Sequence, residues 1–206
     1  MAIMIKKYLY ITGLAWILSV QACSQKKEYI AHMENKVTTF TAGDYEITQI
    51  TNELSKLLDA PIKDQTFYQN DDRTMGEVTL LKLPNSLCVI LNGKIFQRGE
   101  DKPNETAIYI IEDIVTILKK YPHLIVQVTG HSDKATENDD QDLSDNRAIS
   151  IAEILYNLES RNETYAKGCG DKKPLFTTFM EGESITNARV EIYLYGNKGK
   201  MIDHCH

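Results

Sequence analysis

The sequence lacks a surplus of positive charge. It carries 23 Lys and Arg against 29 Asp and Glu, a formal charge of −6 over 206 residues. No basic stripe stands out, which argues against nucleic acid as a partner, because phosphates demand a positive footprint. It has only four Cys and no Cys-x-x-Cys pair, so a zinc ribbon is not encoded. An internal repeat and a long low-complexity tract are also missing, so a solenoid is not expected. Hydrophobic content of 42% and charged content of 25% are ordinary for a globular chain. The apolar stretch at 8–20 has 13 residues, whereas a bilayer span needs about 20.

That stretch has a different use. Lys6 and Lys7 precede it, and Val20-Gln21-Ala22-Cys23 ends it. A positive flank and a short apolar run are the layout of a secretory signal peptide. The end resembles the bacterial lipobox, which implies cleavage after residue 22 and lipid on Cys23. Lys6 and Lys7 are the only charges in 1–22, so removal takes the balance from −6 to −8. With Cys23 lipidated, Cys88, Cys169 and Cys205 remain in an oxidising compartment, allowing at most one internal disulfide. The spacing leaves all three pairings open.

Residues 23–75 are expected to be a tether with one amphipathic helix at about 45–58. Ile47, Ile50, Leu54, Leu57 and Leu58 recur there at helical spacing, after Asp44 and before Pro61. Residues 76–197 are expected to be the domain, and 198–206 a tail. Within the domain, 78–83 and 87–91 read as a hairpin around Pro84-Asn85-Ser86. Pro103-Asn104 opens a helix with Ile108, Ile111, Val115 and Leu118 on one face, widened by Ile110, Ile114 and Ile117, and Tyr121-Pro122 ends it. Residues 124–129 read as a strand covered on both faces. A second helix is expected from 145 to 159 with Ser144 as N-cap and Ala148, Ile151, Leu155 and Leu158 buried. After a loop, 188–195 alternates Val190, Ile192 and Leu194 against Arg189, Glu191 and Tyr193, a strand with one apolar face. The order predicts an α/β sandwich, a βαβαβ mixed sheet with helices packed on it.

Chemistry concentrates in Thr129-Gly130-His131-Ser132-Asp133, an acidic loop, and Leu143-Ser144-Asp145-Asn146-Arg147-Ala148. These blocks resemble the OmpA C-terminal family, which includes the Pal lipoproteins and the MotB stator. Its pattern is a strand ending in Gly-His-Thr/Ser-Asp, a loop, and Leu-Ser-x-x-Arg-Ala. The resemblance extends to Leu91-Asn92-Gly93-Lys94-Ile95-Phe96-Gln97-Arg98-Gly99 and to Asn187-Ala188-Arg189-Val190-Glu191-Ile192, covering about 78–196. It implies a non-catalytic domain that binds the diaminopimelate of the peptidoglycan stem peptide, with Asp133 on the ammonium and Arg147 on the carboxylate. Asp140 stands where family loops carry an Asn that belongs to the same site. No cofactor is implied. Together with Cys23, the resemblance implies an outer-membrane lipoprotein facing the periplasm, with peptidoglycan, the membrane and envelope proteins as partners.

The residues themselves point the same way. Asp133 follows the carboxyl end of a strand, where α/β sheets tend to bind ligands. Arg147 is expected at about the third position of its helix, where a cation opposes the dipole. A broken local rule marks a functional position, and Arg147 with the helix amides would hold a carboxylate. The bland alternative is that Arg147 pairs with Asp133 or other nearby acids. A second functional reading is an interaction subunit of an envelope machine. His131, Ser132 and Asp133 cannot form a catalytic relay among themselves, since strand neighbours point to opposite faces, and His131 is expected to be structural. His204-Cys205-His206 cannot easily close one tetrahedral metal centre. Asp139-Asp140-Gln141-Asp142 lacks the Gly and terminal Glu of an EF-hand.

Overall fold

The structure is a computed structural model, and it describes residues 44–63, 77–84, 86–97, 99–132, 140–175, 187–196 and 201–205. Its elements in chain order are α1 (Asp44–Leu58), β1 (Ile62–Lys63), β2 (Val78–Lys82), β3 (Ser86–Asn92), a 3-10 turn (Gly93–Ile95), α2 (Glu105–Lys120), β4 (Ile125–His131), α3 (Asp140–Asn157), β5 (Glu163–Gly168) and β6 (Arg189–Tyr195). They form a six-stranded mixed sheet of order β1-β2-β3-β6-β4-β5, with three helices packed on it. The expected hairpin is present. β2 and β3 are antiparallel with Leu80 opposite Val89, and Leu83 N–H donates to Ser86 O at 2.9 Å across the turn. β6 lies antiparallel to both β3 and β4, so those two strands run parallel on either side of it.

Local chemistry accounts for α2. The Asn104 side chain accepts from Ala107 N at 3.0 Å and closes the first turn. At the other end Tyr121 N–H reaches Ile117 O and Leu118 O. The buried face is Ala107, Ile111, Ile114, Val115, Ile117 and Leu118. Ile108, expected on that face, is 36% exposed because the apolar stripe is centred on Ile111 and Ile114.

Helix α1 packs on α2 and β2, and its residues Ile47, Ile50 and Leu54 are fully buried in the same core as Ile111 and Val89. Leu57, expected on the same stripe, is 43% exposed. Glu53 ties the two helices, accepting from Tyr121 Oη at 2.9 Å and Lys120 Nζ at 3.2 Å. The Tyr121 hydrogen bond and the Lys120 contact hold the Glu53 carboxyl below its usual range. β1 follows and pairs parallel to β2, with Ile62 beside Leu80. The segment expected as a tether thus supplies a helix and an edge strand to the core.

Three further elements differ from their sequence expectations. Helix α3 begins at Asp140 rather than after Ser144. Asp142 falls in its first turn, where a negative charge favours the helix dipole. Ser144 lies inside the helix and its hydroxyl donates to Gln141 O at 2.8 Å. Residues 163–168, expected as loop, form β5 at the sheet edge, parallel to β4. Finally, all seven residues of β6 are buried, including Arg189, Glu191, Tyr193 and Tyr195 on the face away from the helices.

Residues 201–205 lie on that second face. Gln127 Nε2 donates to Ile202 O at 3.1 Å, and the His204 ring stacks on Tyr193 at 3.5 Å between centroids. A Cys169–Cys205 disulfide staples the segment to the end of β5. Cys88, buried on the same face, keeps its thiol, and burial pushes its pKa up. The choice among three possible disulfides is therefore made by the sheet, which brings residue 169 to the segment that 205 ends.

Candidate functional site

The carboxyl ends of β4 and β5 meet α3 closely because Gly130 and Gly168 have no side chain. A Cβ at Gly130 would overlap the Ser144 carbonyl oxygen, and one at Gly168 would overlap Asp145 N and Ser144 Oγ. Polar contacts hold that approach. Gly168 N–H donates to Asp145 Oδ1 at 2.5 Å, Gly170 N–H donates to Ser144 Oγ at 2.9 Å, and Gln141 Nε2 donates to Gly168 O at 2.9 Å. Backbone pairing continues past the strands, from Cys169 N to Gly130 O and from Ser132 N to Gly170 O. The Gly of the Gly-His-Ser-Asp block and the Ser-Asp of the Leu-Ser block are thus the joint between sheet and helix. Sequence reading did not assign Gly130, Gly168, Gln141 or Asp145 that role. Nothing local marks it, since the overlap exists only once α3 is seated.

Arg147 is the eighth residue of α3 and lies in its third turn. The expectation of a cation on the first turn is corrected by the earlier helix start, and the dipole penalty does not apply. Arg147 is 2% exposed. Its guanidinium carbon sits 5.0 Å from the centroid of Phe96, and its Nε donates to the Glu100 carbonyl at 3.0 Å. The 96–103 loop that supplies both partners is pinned by a Phe96–Pro103 bridge, and Gly99 takes a φ of 77° in it. A left-handed residue of this kind favours glycine. The loop therefore fixes the guanidinium plane from two sides, by a ring face and a carbonyl. Asp133 lies outside the described residues. Asp140 begins α3, and Ser132 ends the described part of β4's exit, so the two bracket the segment that contains Asp133.

A second polar group sits across the sheet. Glu191 accepts from Arg189 Nε at 2.6 Å and from Tyr193 Oη at 2.6 Å, and its Oε2 lies 3.3 Å from His131 Nε2. Arg189 also donates to Asn187 O and Lys173 O, each at 2.9 Å. Burial alone would raise the Glu191 pKa, yet Arg189 and His131 hold it far below the usual carboxylate range. Burial and the Arg189 charge lower the His131 pKa, while Glu191 opposes them. His131 is 1% exposed, as a structural residue would be. The Cys205 sulfur is bound to Cys169. Among the described residues no group of three His, Cys, Asp or Glu side chains could hold a metal ion.

The chain matches the OmpA family over residues 95–203, more than half its length. It belongs to the OmpA family. The match begins at the end of the 3-10 turn, so α1 and β1 to β3 precede it, the three strands in the same sheet and α1 packed on that sheet. Among solved structures, the periplasmic domain of Helicobacter pylori MotB superposes with a TM-score of 0.53 at 20% identity, covering 61% of this chain and 83% of that one. A MotB-like protein from Desulfovibrio vulgaris gives 0.53 at 14% identity, covering 79% and 99%. The cell wall anchor of the T6SS from Pseudomonas aeruginosa gives 0.50 at 22% identity, covering 64% and 96%. These likenesses establish the OmpA-like fold. A comparison with curated proteins yields no match.

Proposed function

We propose that this chain is a non-enzymatic lipoprotein of the outer membrane, facing the periplasm, whose OmpA-like domain grips the peptidoglycan stem peptide. The observation that carries the reading is the placement of Arg147 in a chain of this family. Gly130 packs closely on α3 at Ser144 and Ala148, so β4 ends against the part of the helix that carries Arg147, which supports this reading. In this reading Asp133 takes the ammonium and Arg147 the carboxylate of diaminopimelate, with Asp140 lining the same site. Phe96 and the Glu100 carbonyl set the guanidinium before ligand arrives, which lowers the ordering cost of binding.

Pulldown with purified peptidoglycan sacculi tests it. Wild type is expected to bind. Arg147→Lys keeps the charge but loses the planar fork and its stacking on Phe96. Losing a charged hydrogen bond costs about 1.5–3 kcal/mol, a drop in affinity of about 10- to 150-fold. Asp133→Ala is expected to weaken binding similarly. Arg147→Ala should also lower the melting temperature, because it empties a buried position packed on Phe96. Equal binding by wild type and both Arg147→Lys and Asp133→Ala overturns the site assignment. No binding by wild type favours an interaction subunit of an envelope machine.

The anchor is Cys23 in this proposal, and the folding unit reaches from α1 to the stapled end at 201–205. In detergent phase partitioning, wild type is expected in the detergent phase and Cys23→Ala in the aqueous phase. If wild type is also aqueous, the lipid anchor is wrong.

A further inference from the structure

The sheet face away from the helices is closed by residues 201–205, a strap with no helix and no strand pairing of its own. Met201 and Cys205 in it are buried, while Ile202 is 50% exposed. We propose that this strap is a removable cover whose latch is the Cys169–Cys205 disulfide: a dithiol reductant opens the latch, the strap leaves the sheet, and the buried Cys88 thiol becomes reactive. The cover lies on the opposite sheet face from α3 and Arg147, so the proposal does not rest on what that site binds.

The two ends of the latch are held unequally. Cys169 sits in the joint between the sheet and α3. Its N–H donates to Gly130 O at 2.8 Å, and the N–H groups of its neighbours Gly168 and Gly170 donate to Asp145 Oδ1 at 2.5 Å and Ser144 Oγ at 2.9 Å. Gly170 O also accepts from Ser132 N–H at 3.0 Å. Cys205 sits on the strap, which the sheet meets through side chains. Gln127 Nε2 donates to Ile202 O at 3.1 Å, and the His204 ring stacks on Tyr193 with its Nε2 2.5 Å from Tyr195 Oη. The Lys167–Asp203 contact is at the surface, where an ion pair contributes little. A cleft of about 340 Å³ runs beside Ile202 and His204, so the strap is not packed on all sides. Once the S–S bond is cut, the strap regains backbone freedom that these contacts must offset residue by residue. The Cys205 end moves and the Cys169 end stays.

Cys88 is the group that the strap protects. It shares an apolar cluster with Met201, Tyr193 and Tyr195, and it stands opposite Tyr193 in the β3–β6 register. Burial, and then Glu191, push its pKa up, which keeps the thiol protonated and unreactive. Withdrawing Met201 uncovers that cluster. Cys88 does not take part in the exchange itself. Counted through Tyr193, Gln127 and Tyr165, it is three strands from β5. That is about 14 Å across the sheet, beyond the roughly 7 Å that a disulfide spans between Cα atoms. The electrons therefore come from outside. A reductant thiolate attacks Cys205 Sγ, and Cys169 leaves as a thiolate and takes up a proton. The second thiol of the reductant then closes the reductant's own disulfide and frees the Cys205 thiol. Two electrons and two protons pass from the dithiol to the protein.

The test uses the full-length chain in detergent, with dithiothreitol as the dithiol and N-ethylmaleimide as the probe, read at each cysteine by peptide mass spectrometry. The oxidised chain is expected to label Cys88 slowly. After reduction and removal of dithiothreitol, labelling of Cys88 should quicken about tenfold or more, since modification of a buried thiol follows the population of the open form. Cys205→Ser should label Cys88 at the faster rate with or without dithiothreitol. Amide hydrogen exchange on the reduced chain separates release from unfolding: it should quicken in 201–205 and stay slow in β3, β4 and β6. A disulfide that resists dithiothreitol in the folded chain, or a Cys88 that stays protected after reduction, overturns the proposal. So does loss of amide protection throughout the sheet, which would make the disulfide a staple of the whole fold and not a latch.

Discussion

Gly130→Ala is expected to abolish cooperative folding or to reduce stability by at least about 3 kcal/mol. Overpacking a core costs about 1–3 kcal/mol when side chains can yield, and more when they cannot. Here the added carbon would meet a backbone carbonyl, that of Ser144, in the middle of a helix. Helix α3 cannot shift away without losing the contacts of Gln141, Ser144 and Asp145 to Gly168 and Gly170. Against a total stability of about 5–15 kcal/mol, such a loss is a fifth or more of the whole. Urea denaturation followed by circular dichroism measures it. Gly99→Ala is the control, because a Cβ there meets nothing within 4 Å and carries only the strain of its positive φ, about 1–2 kcal/mol. If the Gly130→Ala midpoint matches that of Gly99→Ala, the sheet–helix joint is looser than described.

Deleting residues 1–75 is expected to leave a molten, protease-sensitive product. The deletion removes Ile47, Ile50 and Leu54, each fully buried against α2 and the sheet. Burying such side chains is worth about 1.5–3 kcal/mol each, and the loss also uncovers their partners on α2 and β2. The Glu53 contacts to Tyr121 and Lys120 and the pairing of β1 with β2 go with them. Leu54→Ala alone should cost about 2–5 kcal/mol. Limited proteolysis and thermal melting of the truncated chain check the expectation. A sharp melt near that of the full chain would show that the domain folds from residue 76.

Much of the architecture was legible because its causes are local. Asn104 before a 3.6-residue apolar rhythm specifies α2 and its start. Pro84 between two apolar runs specifies the hairpin, and a run at 124–129 with β-branched residues on both faces specifies a strand covered on both sides. The family blocks were legible too, since a sequence pattern survives even when a helix boundary within it is misplaced.

The parts that were not legible depend on residues far apart in sequence. Val190, Ile192 and Leu194 announce one buried face of β6, but only the packing on the other face buries Arg189 and Glu191 as well. Residues 163–168 have little apolar periodicity and become a strand only because β4 offers a free edge. The pairing of Cys169 with Cys205 rather than Cys88, and the need for glycine at 130, are likewise set by where the sheet brings distant segments. Periodicity, caps and turn residues act within a few positions, so the sequence by itself determined the elements and the family. Burial, register and close approach are properties of pairs of elements, so only the tertiary structure decided which faces are covered, where α1 belongs and which side chains share a site.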